Sequence, residues 1–366
     1  NRSINVVSSE PVIAHQFNPL NNQNVYSNDA SLLLPISTLG REYYVVNWPT
    51  QVLPSFMGTN FEDQQAYVTI VAVESGQTIV DVSSTADVKA GPGVSAISAG
   101  STGTYALQRG EVLNLTANSG QVGPTGNDLT GTHIEASLNV AVFAGHEEAV
   151  IGDGSGGDDS CCADHLEQQL FPLSTWGTGY IAGLSPERGT HKDHWRIVSG
   201  EDGVTLTTNP PQPDANNVTL DKGDAVTFYS DEDFEINATG KIMVGQFLVS
   251  QEQTSDVVGD PAFLLSVPSS QFRKDYHLLT PDNYSSNYVQ IIRPTGATVN
   301  LDGTPVSSST FRSVGSTFEV GHVEVSPGVH TLDSSEAFGI QAFGFDSAVS
   351  YGYPGGLNLV GESSSN

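Results

Sequence analysis

The chain has 366 residues, 37% of them hydrophobic, with 38 Gly and 19 Pro. That length holds two or three cores, and that mixture suits many short strands joined by turns. Asp and Glu number 41 against 13 Lys and Arg, a formal net charge of −28; so acidic a surface repels phosphate backbones and anionic lipid and argues against nucleic-acid and membrane-surface partners. No run approaches the roughly 18 apolar residues of a membrane span, and no signal peptide is visible. The acidity fits a salty or extracellular habitat, and clustered carboxylates raise the alternative of divalent-cation binding.

Taken in chain order, residues 1–30 read as a spare strand over Ile4–Phe17 and a linker. Three tandem β-sandwich units follow, near 31–150, 151–251 and 252–356, and 357–366 reads as a linker-like tail. The expected fold class is therefore all-β, three repeats plus one extra strand. A short pattern marks the start of each unit: Pro35, Pro172 and Pro268 precede a large apolar residue by four places (Leu39, Trp176, Phe272) and a tyrosine by eight (Tyr43, Tyr180, Tyr276). The tyrosines are expected to pack their rings in the sandwich with the hydroxyl at an edge.

Strands are expected next at Val68–Val73, Trp195–Ser199 and Val289–Arg293, because their residues are β-branched or alternate. Each runs into a Gly-x-Thr turn, at Gly76, Gly203 and Gly296, and leaves as a second strand over Ile79–Val82, Leu206–Thr208 or Val299–Leu301. Glycine suits such hairpin turns because a positive φ costs it little.

The element that closes each unit recurs four times, at Ile4–Phe17, His133–His146, Phe234–Phe247 and Thr331–Phe345. Its apolar centre (Val12-Ile13-Ala14 in the first copy) suits a strand buried on both faces. The first copy is spare: it belongs to a further unit, closes the array on itself, or adds to a neighbouring molecule, which makes residues 4–17 a candidate for self-association. No long amphipathic helix is expected; Ala163–Leu170 fits one or two helical turns.

Between units 1 and 2 lies the richest segment for chemistry. In 151–160, Asp153, Asp158 and Asp159 offer hard oxygen ligands among glycines, a candidate calcium site, with a plain loop as the other reading. Cys161 and Cys162 are the only cysteines; as neighbours they close no ordinary loop, and a vicinal disulfide, free thiols or a bridge to another chain stay open. Asp164, His165 and Glu167 follow at once, fit for a metal or for acid–base work, or for ordering the segment through a histidine held by a carboxylate. His191 and His194 read as a solvated strand entrance. No nucleophile elbow, phosphate loop or dinucleotide fingerprint is present, and residues shared by the three units are Pro, Gly, Thr and Tyr, which serve turns and packing.

The stretch Cys161-Cys162-Ala-Asp-His-Leu-Glu-Gln-Gln-Leu-Phe-Pro-Leu-Ser-Thr-Trp-Gly177 resembles the signature segment of the IgGFc-binding protein N-terminal domain family. Asp128-Leu-Thr-Gly-Thr-His-Ile134 with Asn139-Val-Ala-Val-Phe-Ala-Gly-His146 resembles it too, and the likeness runs from about residue 3 to 356. The Cys-Cys-Ala-Asp-His-Leu wording is similar to that of bacterial members. The resemblance implies a secreted or cell-surface protein that binds an extracellular macromolecule (a glycan, mucin-like or cell-surface partner), catalyses nothing and does not insert into membranes. A structural subunit of an extracellular filament or matrix is the second reading, and a carbohydrate-active enzyme the third.

Overall fold

The computed structural model describes residues 3–19, 27–54, 61–118, 127–154 and 161–359. Among them every regular element is a strand, apart from single-turn 3-10 segments such as Ile36–Thr38, Leu173–Thr175 and Ser269–Gln271, each begun by the repeat proline. The chain is all-β and builds three sheet units.

Each unit is organised about one long strand: His133–Ala149, Phe234–Leu248 or Gly328–Asp346. In unit 3 the first half of that strand pairs with Arg273–Thr280 and Val299–Leu301, while its second half pairs with Ser286–Pro294 and Val349–Pro354. The long strand thus passes from one layer of a sandwich into the other. Tyr276, Leu278 and Val299 from the first layer and Val289, Ile291 and Tyr351 from the second share one core. Units 1 and 2 repeat the plan, with register shifts between Glu135 and Val140 and between Gly177 and Gly179 where the layers diverge.

The strands expected from β-branched runs appear as Ala66–Ala72, Asp193–Ser199 and Ser286–Pro294, followed by Gln77–Ser83, Val204–Asn209 and Val299–Leu301. The glycines between them, Gly76, Gly203 and Gly296, take φ of 102°, 69° and 77°, the left-handed region open to glycine. In Gln77–Ser83 burial alternates strictly, with Val80 and Val82 inward and Asp81 half out.

Three expectations are corrected. Ala163–Leu170 forms no helical turn; Asp164–Gln169 is a strand, nearly all of it buried, pairing with the end of the unit 1 long strand. The N-terminal strand is Ala14–Asn18 rather than Ile4–Phe17, and Val12 and Ile13 are exposed, because no second layer covers them. His191 and His194 are buried, not solvated, and His194 packs edge-on against Trp48, Tyr229 and Phe247.

Four short inner strands bring the units together: Asp29–Leu33, Asp164–Gln169, Phe263–Leu265 and Val349–Pro354. Each returns along the strand before it, Ala14–Asn18 or a long strand, and each lies beside the next, with Asp29–Leu33 touching both Asp164–Gln169 and Val349–Pro354. The first hairpin therefore closes the array on unit 3, where Phe17 meets Tyr351 and Tyr353 with ring centroids 5.6 and 6.0 Å apart.

Candidate functional site

Where the inner strands meet, polar side chains replace a backbone ladder. Ser27 Oγ, Asp29 Oδ2 and Ser31 Oγ accept the backbone N–H groups of His165, Glu167 and Gln169 at 3.1, 2.9 and 2.8 Å. The period of two on both sides is that of extended chains facing each other. Gln169 Oε1 in return accepts Leu34 N–H at 2.8 Å, and Gln168 Nε2 donates to Ala30 O at 2.5 Å and Gly352 O at 3.2 Å. A buried peptide group left unpaired costs about 1–3 kcal/mol, which is why this apolar centre carries Ser, Asp and Gln. Asp29 also accepts Ala30 N–H at 2.8 Å and Phe263 N–H at 3.1 Å, so one carboxylate ties together three of the inner strands.

Beside Asp29 lie two more buried carboxylates. Asp164 Oδ1 accepts N–H from Asn28 and, at 2.8 Å, from His165. Asp260 Oδ1 accepts Gln251 N–H at 3.2 Å, and Asp260 N–H donates to Ser350 Oγ at 2.7 Å. Asn28 Nδ2 donates to the Tyr284 hydroxyl at 2.6 Å. Burial pushes the carboxyls of Asp29, Asp164 and Asp260 well above their ordinary range; for Asp164 the neighbouring charge of Asp260 adds to this. The nearby cation is Arg188, fully buried, with Nη1 donating to Val249 O at 3.1 Å and Nη2 3.8 Å from Asp193 Oδ1.

Cys161 and Cys162 are joined to each other by a disulfide across a cis peptide bond. Cys161 N–H donates to Glu252 Oε2 at 3.0 Å and Ser250 Oγ donates to Cys162 O at 2.9 Å, so the pair sits against the start of the 251–253 turn. Of the three residues that follow, His165 and Glu167 share a face, with Nε2 and Oε2 3.8 Å apart. His165 Nε2 also lies 3.3 Å from both the Tyr67 hydroxyl and Asn18 Nδ2. Asp164 turns to the opposite side of the strand, so the three do not form one cluster. Asp153 is half-buried; Asp158 and Asp159 lie outside the described residues.

Asn28, Arg188, Asp260 and Tyr284 were not singled out from the sequence, although a signal for Asp260 exists. Asp164, Asp260 and Asp346 each stand eight residues before a proline (Pro172, Pro268, Pro354), and Ser27 holds that place before Pro35. Asp164 opens its inner strand, while Ser27, Asp260 and Asp346 stand two or three residues before theirs. Asp346 differs in being half-buried and bonded to Ser285 Oγ at 2.8 Å.

The repeat tyrosines have their hydroxyls inside rather than at an edge. Tyr43 OH accepts Gly40 N–H (3.0 Å) and donates to Val140 O (2.7 Å); Tyr180 does the same between Gly177 (3.2 Å) and Ile242 (2.5 Å), and Tyr276 between Arg273 (2.9 Å) and Phe338 (2.5 Å). Burial raises the pKa of all three phenols. A second joint uses Arg196, whose Nη1 donates to Asn47 O, Asp128 Oδ2 and Thr130 Oγ1, the last two at 2.8 Å, while the guanidinium lies 5.6 Å from the Trp48 ring.

These features define an all-β repeat protein whose shared positions are consumed in holding its own units together. The chain belongs to the IgGFc binding protein family, whose sequence model matches residues 29–344. It is similar to the human IgGFc-binding protein, 23% identical over 334 residues, which is 88% of this chain and 6% of that relative's length. Among solved structures, an anti-sigma factor domain-containing protein aligns over 48% of this chain and 82% of its own at 10% identity, with a TM-score of 0.14. One from Clostridium clariflavum aligns over 59% and 83% at 9% identity, with a TM-score of 0.16. Scores so low carry no likeness of fold. Among the described residues no helix is long and apolar enough to cross a membrane.

Proposed function

We propose that this chain is a non-catalytic extracellular binding protein that recognises a macromolecule, a glycan, mucin-like chain or cell-surface protein, through loops at the rims of its sandwiches. The observation that carries this reading is the spending of the repeat-shared tyrosine hydroxyls on internal bonds: those of Tyr43, Tyr180 and Tyr276 each bridge two backbone groups of their own unit. Recognition then falls to residues that differ between units. Membership of a family described by its binding of IgG Fc supports a protein partner. The raised carboxyls of Asp164 and Asp260 do not recommend glycosidase chemistry, since both residues are 0% exposed and neither lines the surface hollows beside Tyr284 or Val12.

The test is a binding screen of the purified chain against immobilised glycans, mucins and immunoglobulin Fc. Saturable binding to one class, lost on substitution of rim residues, is expected; no binding to any of them overturns the reading. Assembly through the N-terminal arm is the second reading, favoured by Ile4, Val6 and Val7, which are 92%, 73% and 84% exposed. Calcium on Asp153, Asp158 and Asp159 rests on the sequence pattern alone, and the metal measurements below distinguish it from a deeper site.

A further inference from the structure

We propose that Asp164, Asp260 and Asn28 form a buried site for one hard divalent cation of the calcium type, placed where the inner strands of the three units meet. All three residues are 0% exposed. Asp164 Oδ2, Asp260 Oδ2 and Asn28 Oδ1 have no hydrogen-bond partner among the described residues, although the other polar atom of each side chain is bonded. An unpaired buried oxygen is costly, and an unpaired buried carboxylate more so. Three of them lie in one neighbourhood: Asn28 N–H donates to Asp164, and Asp260 accepts Gln251 N–H in the turn that also holds Cys161 and Cys162, two residues before Asp164, through Glu252 and Ser250.

Charge counting points the same way. Among the described residues, Asp29, Asp164, Asp260 and Asp193 are buried here with one guanidinium, that of Arg188, which lies 3.8 Å from Asp193 and also faces the charge of Asp260, so four carboxyls share one cation. Two carboxylates held side by side out of water do not both ionise without a further positive charge. One divalent ion supplies it. A single proton shared between Asp164 and Asp260 is the competing solution, and it neutralises one charge and satisfies at most two of the three free oxygens.

Oxygen-only donors select a hard ion over zinc or copper. Among the described residues no three Asp, Glu, His or Cys side chains converge closely enough to hold a metal; the shell therefore consists of two carboxylates and one amide oxygen, completed by backbone carbonyls or water, as calcium accepts. Tyr284, bonded to Asn28, also lines a surface hollow and so places an aromatic donor next to the site.

The experiment uses the whole chain. After gel filtration in metal-free buffer, calcium content is measured, the melting midpoint is recorded with and without chelator, and terbium emission is followed under tyrosine excitation. Expected are about one calcium ion per chain, a midpoint lowered by about 5 °C with chelator, and terbium emission that calcium quenches by displacement. Asp164→Asn and Asp260→Asn are expected to weaken terbium binding by about tenfold or more, while a double Asp158→Asn, Asp159→Asn variant retains it. If the core variants fail to fold, the metal content and chelator response of the wild type still decide. A metal-free wild type whose melting ignores chelator overturns the proposal in favour of the shared proton, and loss of binding in the double loop variant alone overturns it in favour of the 151–160 loop.

Discussion

Gly177 lies flat against Pro268: a methyl group added to it would sit 2.4 Å from the proline Cβ. Gly40 has the same relation to Pro172, at 2.6 Å. Units 1 and 2 each thus offer a side-chain-free position, five residues after their own proline, to the proline of the next unit. In unit 3 that position is Arg273, which lines a surface hollow together with Pro35, the proline of unit 1.

Gly177→Ala is expected to destabilise the chain by about 1–3 kcal/mol, because a rigid pyrrolidine ring cannot swing aside as a flexible side chain would. Gly179→Ala is the control, since its added methyl meets Ser269 Oγ at an ordinary 3.5 Å. Chemical denaturation of the two variants measures the difference, and equal midpoints would remove the Gly–Pro contact as the joint between units 2 and 3.

Tyr180→Phe keeps the ring and removes a hydroxyl that serves as acceptor for Gly177 and donor for Ile242. Both backbone groups then lie buried without a partner, which costs about 1–3 kcal/mol. The unfolding midpoint in urea should fall with an unchanged slope. Tyr43→Phe and Tyr276→Phe should behave alike, since the arrangement is the same in all three units.

The buried histidines should withdraw their share of stability as pH drops below about 6.5. Burial lowers His146 to about 3 and His194 well below its ordinary value. The unfolded chain then binds protons that the folded chain refuses, so the stabilisation is present above pH 6.5 and lost below it, with a slope of about 1.4 kcal/mol per pH unit for each group. The raised carboxyl of Asp29 acts in the opposite sense, favouring the folded state at low pH and losing that contribution as pH rises through its folded value. His194→Phe isolates one histidine. Its ring stays among Trp48, Tyr229 and Phe247, and the pH slope of its stability between 6.5 and 5 should be shallower than that of the wild type by about one proton.

Removing residues 1–13 separates the two readings of function. The strand Ala14–Asn18 and its contacts with unit 3 survive that cut. A binding protein should keep its ligand and its monomeric mass, whereas a subunit that assembles through exposed Ile4, Val6 and Val7 should lose its higher-order species in sedimentation.

Much of the fold was legible in the sequence because the units are duplicates. Offsets from Pro35, Pro172 and Pro268 located the tyrosines, and β-branched runs before Gly-x-Thr located the hairpins. The inner strands were harder to read. Asp164-His-Leu-Glu-Gln-Gln169 shows no apolar alternation, since its polar side chains are buried and bonded across strands rather than turned to solvent, and periodicity alone suggested a helical turn. His191 and His194 were misplaced for a related reason: flanking Lys192 and Asp193 look like a solvated entrance, yet Asp193 is itself buried, accepting Ser185 N–H and Gln246 Nε2 at 2.7 Å. The candidate site depends on Asn28 meeting Asp164 and Asp260 from distant parts of the chain, a juxtaposition that only the closed ring of inner strands creates.

That closure sets the order of events during synthesis. The hairpin made first, Ala14–Asn18 with Asp29–Leu33, finds its aromatic seat on Tyr351 and Tyr353, which leave the ribosome last among the described strands. Until they emerge, Phe17 stays wet and the early polypeptide is a sticky overhang. Nascent chains halted before residue 349 should therefore be the forms that call on chaperones and proteases, whatever the maturity of the first two units.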